Sequence, residues 1–485
     1  MEKITIDPIT RLEGHGKIEI FLNENGSVEN AYLQVPELRG FEKFCEGRKA
    51  EDMPQLTSRI CGVCPVSHHF ASTKALDAAF KVEPTEVAKK LRELMYVSYF
   101  IYDHILHFYF LGGPDFIVGP DAEPVKRNIF GVIDKVDLEL AKEVIKHRAY
   151  GQKMTEILGG KPTHPVCGLP GGVSKVISDG ERKDIEKMAL SSLEFAKKSL
   201  EIFHEAVLGN KDYLDLIKNP AHTLGVYNMG LVDENNKVNF YDGYVRVTDP
   251  EGKEFAKFKP EDYLDYIAEE VVEWSYVKIP YLRAVGWKGL TDGKESGIYR
   301  VGPLARLNAS EGLATPLAQE EYEKMYETFG TKPVNNTLAY HWARLIELLY
   351  AAERAVELAQ DPSITGTDVR NIPDGVPGRG VGIVEAARGT LIHDYTVSED
   401  GLIESVNLIV ATTNNKAAIC MSVRNAAKEL ISNKRIDDGL LNMVEMFFRA
   451  YDPCFACATH ALPGKLPFEV NIYTSEGKLY QKLRR

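Results

Sequence analysis

The feature that most constrains this 485-residue chain is a pair of Cys-x-x-Cys motifs near its two ends. Cys61 and Cys64 form the first motif, and Cys454 and Cys457 form the second. Cysteines three residues apart can place both sulfurs on one side of a tight turn, and four thiolates can hold a soft metal centre. If the two motifs meet in space, the fold must bring both ends of the chain to one buried site.

A single Cys-x-x-Cys motif is compatible with structural zinc, a cluster ligand, a redox pair or chance. A structural zinc site usually closes a short loop and stabilises a small fold. This chain is long enough to bury a large core without one, so a metal site that joins its ends is better explained by function. We interpret the other three cysteines, Cys45, Cys167 and Cys420, as small buried hydrophobic residues.

Charge and hydropathy exclude several classes of partner. The formal net charge of -12 argues against a nucleic-acid or anionic-membrane surface. The N-terminus has no apolar signal core, and the most apolar long stretch, residues 94–111, is interrupted by polar side chains, so it is a poor membrane span. We therefore expect a cytoplasmic protein with no nucleic-acid partner and no membrane span.

The hydrophobic periodicity predicts an α+β fold that is mainly helical, with long buried core helices and small peripheral sheets and hairpins. Hairpins are predicted around residues 25–26, 241–243 and 400–401. Helices are predicted over residues 68–80, 85–111, 180–208, 317–329, 335–360, 414–432 and 437–450. We interpret residues 209–316, with their shorter apolar runs, as an α+β elaboration on the helical core.

Polar residues near the two motifs have alternative interpretations. His68 and His69 follow the first motif and could bind a metal or hydrogen-bond a thiolate. Glu13 and His15 could form an ordinary salt-bridged loop. They could instead form a proton relay, because burial raises the pKa of a carboxyl group and suits it to proton transfer.

Five motifs together resemble the large, catalytic subunit of nickel–iron hydrogenases. They are DPITRLEGH at residues 7–15, RGFE at 39–42, RICGVCP at 59–65, ARG at 387–389 and DPCFACATH at 452–460. They follow the family order along the whole chain, so the fold of that large subunit is expected. The segments RGFEKFCEGR at 39–48 and PVSHH at 65–69 are most similar to the cytoplasmic branch that exchanges electrons with NAD(P).

The resemblance implies a nickel–iron centre held by the paired cysteines. All four would bind nickel; Cys64 and Cys457 would also bridge to iron, and Cys61 and Cys454 would be terminal on nickel. The iron would carry carbon monoxide and cyanide ligands. Electrons would leave through an iron–sulfur partner subunit, since this chain has no further cysteine set for a cluster relay.

Catalytic roles are implied for residues around that centre. Glu13 would lie against Cys454 and take its proton outward. Arg388 would lie over the open side of the metals, held by Asp103 and Asp452 through charge-assisted hydrogen bonds. Splitting dihydrogen requires a Lewis acid and a base, and a terminal thiolate or the Arg388 guanidine is the candidate base.

Supporting roles are implied for five more residues. His68 would hydrogen-bond the bridging cysteine of the first motif, Thr412 would donate to a cyanide, and Arg59 is expected to contact the cofactor. Glu42 and His460 would bind magnesium, or another divalent ion, and anchor the C-terminal segment.

Residues 1–460 are expected to form one catalytic domain. Family members are normally cut after the histidine that matches His460, so residues 461–485 are expected to be a removable extension. Diaphorase-type flavin and iron–sulfur subunits, a maturation protease and nickel-insertion proteins are further expected partners.

We therefore predict reversible heterolytic cleavage of dihydrogen, with electrons passed to NAD(P). The same chemistry coupled to ferredoxin, or to an electron-bifurcating heterodisulfide-type complex, is the alternative acceptor. A metal-free homologue from a respiratory complex would lack the cysteines, all four of which are present. A structural zinc or single-cluster protein would not explain Glu13, Arg59 and Arg388.

Overall fold

A computed structural model describes residues 2–136, 138–431, 436–459, 469–473 and 479–484. The long helices, in chain order, are α1 (Pro65–Ala79), α2 (Glu86–Leu106), α3 (Leu138–Gly159), α4 (Asp179–Phe203), α5 (Pro316–Phe329), α6 (Tyr340–Gln360), α7 (Lys416–Leu430) and α8 (Asp438–Ala450). Shorter helices cover Phe41–Cys45, Met53–Ser58, Pro114–Ile117, Ile129–Lys135, Lys211–Lys218, Tyr263–Tyr266, Pro303–Ala309, Ala411–Asn414 and Phe455–Ala458.

The strands form small, mainly antiparallel sheets beside the helices. Their bounds are β1 (Glu2–Ile6), β2 (Lys17–Leu22), β3 (Val28–Gln34), β4 (Tyr227–Val232), β5 (Tyr244–Thr248), β6 (Glu254–Phe258), β7 (Ile267–Glu270), β8 (Ile279–Leu282), β9 (Arg379–Ala386), β10 (Gly389–Val397), β11 (Ile403–Ile409), β12 (Glu469–Tyr473) and β13 (Leu479–Arg484). The sheets are β1–β2–β3, β4–β5–β6, β7–β8, β9–β10–β11 and β12–β13, and Tyr299–Arg300 adds a short parallel strand beside β4. This architecture confirms the predicted fold class.

Helices α2 and α6 form the centre of the molecule. The side chain of Thr85 begins α2 by accepting a hydrogen bond from the backbone of Ala88, which satisfies one of the free amides of the first turn. The second half of α2 is buried on almost all sides. Helix α6 packs against both α2 and α4, and α3 covers the other side of α2.

Helix α1 packs closely on the sheet β9–β10–β11 because two glycines of β9 lack side chains. A Cβ atom at Gly380 would lie 2.1 Å from the carbonyl oxygen of Ala75, and one at Gly382 would lie 2.0 Å from that of Ala71. Strands β9 and β10 are joined by a two-residue turn, since Ala386 pairs with Gly389. This close contact brings the N-terminal end of α1 to the site described below.

The predicted elements lie close to the observed ones. The hairpin at residues 25–26 joins β2 and β3, and the hairpin at 400–401 joins β10 and β11. The helix predicted over 85–111 ends as α-helix at Leu106 and continues as a wider π-helical turn to Gly112. Residues 209–316 contain strands β4 to β8 and several short helices, and their description as an elaboration on the helical core stays a prediction.

Helix α3 is missing from the predictions because its apolar residues do not share one face. Leu140 and Val144 are buried, whereas Leu138 and Ile145 are 61% and 63% exposed. Such a pattern weakens the helical periodicity on which the prediction depends. None of the helices in the described part of the chain is both long and apolar enough to cross a bilayer.

Candidate metal centre and active site

The four paired cysteines meet in the structure. Their Sγ atoms lie within 4.8 Å of one another, and all four residues are buried. The Sγ atoms of Cys61 and Cys454 are 3.4 Å apart, as are those of Cys64 and Cys457, and 2.9 Å separates Cys454 from Cys457. A disulfide has an S–S distance of about 2.05 Å, so these are four free sulfurs that converge on one point.

The first motif occupies the turn that leads into α1. Pro65 is the first helical residue, a position that needs no amide hydrogen. The backbone amides of Val63 and Cys64 point back to Cys61 Sγ at 3.2 and 3.3 Å. Hydrogen bonds from the other three thiols, with the positive charge of Arg388, hold the pKa of Cys61 well below its usual value.

The second motif follows α8 through a strained residue, Asp452, whose φ is 54°. The amide of Cys454 donates to the Thr412 hydroxyl at 3.0 Å, and the amide of Phe455 donates to the Glu13 carbonyl at 3.0 Å. The N-terminal loop approaches closely here, because a Cβ atom at Gly14 would lie only 2.9 Å from the Ala456 nitrogen. Chain segments from opposite ends of the sequence therefore fix Cys454.

The cysteine cluster has the chemistry of a soft-metal site. Burial raises the pKa values of Cys454 and Cys457 well above those of ordinary thiols. Several thiolates within one small buried volume repel each other unless a cation neutralises them. Four soft sulfur donors at this separation fit a nickel-type ion better than a hard cation, which prefers oxygen.

The Glu13 carboxylate lies directly beside this cluster. Its Oε2 atom is 3.0 Å from Cys454 Sγ and accepts a hydrogen bond of 3.1 Å from the amide of Ala456. Burial, followed by the negative charge of Cys61, raises the pKa of Glu13 above its ordinary value. A carboxyl group in this position can exchange a proton with the thiol.

Arg388 occupies the two-residue turn between β9 and β10. Its guanidinium is buried, donates to Asp103 Oδ2 at 3.1 Å and forms an ion pair of 3.0 Å with Asp452 Oδ2. Burial opposes the charge, but Asp103 and Asp452 hold the pKa of Arg388 well above its ordinary value. The structure thus brings together the three charged residues that the family resemblance implies should interact.

His68 lies on α1, one turn after Cys64. Its Nδ1 atom is 3.1 Å from His393 Nε2, and its own Nε2 atom is buried without a hydrogen-bond partner among the described residues. Burial lowers the pKa of His68 to about 4, so the ring is neutral at pH 7. A hydrogen bond from His68 to the bridging cysteine stays a prediction. The alternative of His69 as a metal ligand is disfavoured, since both of its ring nitrogens have protein partners.

The remaining predicted residues are Arg59, Glu42 and His460. Arg59 is exposed, two residues before Cys61, and its contact with a cofactor stays a prediction. Glu42 is half-buried and accepts a hydrogen bond of 2.8 Å from the amide of Leu408, and burial raises its pKa. His460 lies outside the described residues, so its shared ion with Glu42 stays a prediction.

Arg39 is a structural residue of the site that the predictions miss. Its guanidinium donates to the carbonyls of Ile60 and Ala456, and its backbone amide donates to the Thr459 carbonyl at 2.8 Å. Arg39 therefore joins the two cysteine loops. The sequence contains a signal for this role, because Arg39 begins the RGFE segment, in which only Glu42 is predicted to act.

A buried ionic cluster at Arg449 is also absent from the predictions. Its guanidinium donates to both carboxylate oxygens of Asp115, at 3.0 and 2.8 Å, and to Glu445 at 2.6 Å. It also donates to the carbonyl of Thr10 at 3.3 Å, and the side chain of Arg11 binds Asp115 as well. The cluster thus attaches the N-terminal loop to α8, immediately before the second motif. Nothing in the local sequence indicates that these distant residues meet.

Comparison with known proteins identifies the family. Residues 39–124 and 201–460 match the family described as "Nickel-dependent hydrogenase", and residues 3–38 match "HoxL-like". The chain belongs to the nickel-dependent hydrogenase family. Family membership makes it the catalytic large subunit of a nickel–iron hydrogenase, which confirms the predicted family and enzyme class.

Related hydrogenases are similar over nearly their whole length. The chain is 50% identical over 485 residues to an iron–sulfur subunit of the F420-non-reducing hydrogenase of Archaeoglobus profundus, covering 100% of both chains. It is 37% identical over 501 residues to "NAD-reducing hydrogenase HoxS subunit beta" of Cupriavidus necator, covering 100% of this chain and 99% of that one. A solved NAD+-reducing [NiFe]-hydrogenase in the H2-reduced state aligns with a TM-score of 0.89 at 38% identity, covering 95% of this chain and 100% of the other.

Proposed function

We propose that Cys61, Cys64, Cys454 and Cys457 hold a nickel–iron centre that cleaves dihydrogen heterolytically and reversibly, with carbon monoxide and cyanide as ligands of the iron. The observation that carries this proposal is the convergence of four buried sulfurs on one point, within 4.8 Å of one another. When bound, the metals supply the Lewis acidity that polarises dihydrogen.

The surrounding residues provide the base and the proton route. The charges of Asp103 and Asp452 favour the protonated form of Arg388, so a terminal thiolate is the stronger candidate for the first proton acceptor. Cys454 is that thiolate, because Glu13 Oε2 lies 3.0 Å from its sulfur and can take the proton onward. Arg388 then supplies a fixed positive charge beside the reacting atoms.

Infrared spectroscopy and metal analysis test this proposal. Active protein is expected to show bands of metal-bound carbon monoxide and cyanide and to contain nickel in every chain. Cys457→Ser should abolish both signals, because serine lacks the soft sulfur donor. Cys420→Ser is the matched control: it changes a buried cysteine outside the cluster and should retain both. Active wild-type protein without nickel and without these bands would refute the proposal.

An iron–sulfur subunit is the proposed electron partner. The described residues contain one cluster of potential metal ligands, and its four cysteines are committed to the proposed centre, so electrons must leave through another chain. The relative from Archaeoglobus profundus is named as one subunit of its hydrogenase, which supports a multisubunit assembly. Co-purification with a partner that contains iron–sulfur clusters is expected, and a fully active isolated chain would contradict this.

For the final acceptor, the relatives favour one that is not coenzyme F420. Six relatives that are 39–50% identical are named F420-non-reducing hydrogenases. An electron-bifurcating or ferredoxin-linked complex of the heterodisulfide type is therefore our first candidate. NAD(P), with diaphorase-type partners, is the second, supported by the 37% identical NAD-reducing relative. Hydrogen-dependent reduction of NAD+, ferredoxin and F420 by the purified complex distinguishes these acceptors.

Maturation is proposed to remove residues 461–485, leaving residues 1–460 as the catalytic domain. A maturation protease and nickel-insertion proteins are the partners this requires, and His460 and Glu42 would share the magnesium ion at the new C-terminus. Mass spectrometry of active complex should find a chain that ends at residue 460. An active chain that retains Arg485 would contradict this processing.

A further inference from the structure

A buried chain of three side chains leads from the sheet to α1. The hydroxyl of Tyr395 lies 2.5 Å from His393 Nδ1, and His393 Nε2 lies 3.1 Å from His68 Nδ1. All three residues have no solvent exposure. The two imidazole rings are 5.3 Å apart and inclined by 50°, so the contact is an edge-directed hydrogen bond between nitrogens.

The fold places this chain of side chains close to the metal cluster. His393 and Tyr395 are two residues apart on β10 and therefore point to the same face of the sheet. Their partners on β9 are Gly382 and Gly380, whose missing side chains let α1 approach. His68 is thereby placed over His393, one helical turn beyond Cys64.

Two proton arrangements are compatible with these distances. Since burial lowers the pKa of His68 to about 4, its neutral ring carries one N–H at pH 7. In the first arrangement Tyr395 donates to His393 Nδ1, His393 donates from Nε2 to His68 Nδ1, and His68 keeps its proton on Nε2. In the second arrangement His68 donates from Nδ1 to His393 Nε2, and His393 donates from Nδ1 to the Tyr395 oxygen. His68 Nε2 then carries a lone pair instead of a proton.

The surroundings of His68 favour the first arrangement. Its Nε2 atom is buried and has no partner among the described residues. The larger of the two charges that act on the ring is negative: the Cys61 thiolate raises the pKa of His68, whereas Arg39 lowers it by less. A lone pair on Nε2 would be repelled by this negative charge, whereas an N–H would be attracted to it.

We infer that His393 and Tyr395 are positioning residues that hold His68 with its proton on Nε2, so that the thiolate side of the centre receives a hydrogen-bond donor. The inference rests on the proposed function, because the donor matters only if the cysteines bind metal. The inference also explains why His68 donates: His393 and Tyr395, which lie outside the cysteine cluster, keep its proton on Nε2.

A pair of nearly isosteric variants tests the direction of the relay. The amide of His393→Gln can still donate to His68 Nδ1 and should preserve its Nε2 proton. The carboxylate of His393→Glu can only accept, so it should move the His68 proton to Nδ1. In the complete, nickel-loaded complex we expect the infrared bands of carbon monoxide and cyanide to shift in His393→Glu and to keep wild-type positions in His393→Gln. Activity should fall about 10- to 100-fold in His393→Glu only.

Three further measurements keep the test decisive. Thr396→Val, a half-buried neighbour on β10, controls for changes to the strand and should leave the bands in place. Tyr395→Phe removes the first donor and should shift the bands in the same direction as His393→Glu. Solid-state 15N NMR of the histidine-labelled wild-type complex, with His68→Gln to assign the signal, should show a protonated Nε2 at His68.

The possible failures are distinguishable. Equal band positions in wild type, His393→Glu and His393→Gln, with nickel retained, would overturn the relay, as would an unprotonated Nε2 in the 15N spectrum. Absence of carbon monoxide and cyanide bands from active wild-type complex would instead overturn the proposed function. If His393→Glu fails to fold, Tyr395→Phe and the 15N spectrum still decide the question.

Discussion

Glu13 Oε2 lies 3.0 Å from Cys454 Sγ, although the two residues are 441 positions apart in the sequence. The contact is reinforced by the backbone, since Glu13 and Cys454 form a parallel β-bridge and the amide of Ala456 donates to the same carboxylate oxygen. The N-terminal loop and the second cysteine motif therefore together hold the carboxyl group beside the sulfur. This geometry suits a group that receives a proton repeatedly in one position.

Glu13→Gln should slow proton exchange without disassembling the metals. The amide keeps the size of the carboxyl group but cannot accept and release a proton. Loss of general acid–base catalysis should therefore slow the catalytic exchange of dihydrogen with deuterium by about 100- to 10,000-fold. Nickel content and infrared bands should be retained. His15→Gln is the control, because the side chain of His15 is 79% exposed and pairs with Glu37, so the structure does not place it in a relay with Glu13. Exchange at the wild-type rate in Glu13→Gln would disprove the relay.

Arg388→Met should be strongly destabilising. The substitution removes the cation that pairs directly with the buried carboxylates of Asp103 and Asp452, and loss of one partner from a buried ion pair lowers the free energy of unfolding by about 3–5 kcal/mol. Lys89→Met removes a partner from an exposed pair with Glu86 and should change the free energy of unfolding by less than about 1 kcal/mol. Denaturant titration of both variants measures the difference, and equal effects would contradict the argument.

The sequence predicts the metal ligands better than their supporting structure. Cys-x-x-Cys spacing is a local property, so the ligands can be recognised before their convergence is known. The partners of His68 are different: His393 and Tyr395 lie more than 300 residues further along the chain, and only the close packing of α1 on β9 brings them beside His68. Such contacts depend on tertiary packing and leave no periodic signal in the sequence.

Asp115→Asn should loosen the N-terminal loop from α8. Arg449 is fully buried and donates to both oxygens of Asp115, which also binds Arg11. A neutral amide offers only one acceptor atom, so we expect a loss of about 3 kcal/mol in the free energy of unfolding. Because this loop carries Glu13, the catalytic exchange of dihydrogen with deuterium should also slow. Protease sensitivity near residue 10 measures the loosening directly, and unchanged cleavage would argue against this role.

Asp438→Asn provides the matched control for that variant. Asp438 pairs with Arg127 through a carboxylate that is 67% exposed. Because solvent screens such a pair, its loss should change the free energy of unfolding by less than about 1 kcal/mol. Asp438→Asn should leave both dihydrogen–deuterium exchange and proteolysis near residue 10 unaltered. If Asp115→Asn and Asp438→Asn had comparable effects, burial of the ion pair would not determine its contribution to stability.

His69 should make the protein less stable at acid pH. Burial lowers the pKa of His69 to about 4 from the ordinary 6.5, so between these values the unfolded chain binds a proton that the folded chain does not. Its contribution to the free energy of unfolding is therefore complete above pH 6.5 and falls by about 3 kcal/mol as the pH drops to 4. His69→Gln can retain both hydrogen bonds, to the Pro54 carbonyl and from the Gly168 amide, without titrating. Denaturation midpoints between pH 4 and 7 should consequently vary less with pH in His69→Gln than in wild type, and identical slopes would show that this imidazole does not control the acid sensitivity.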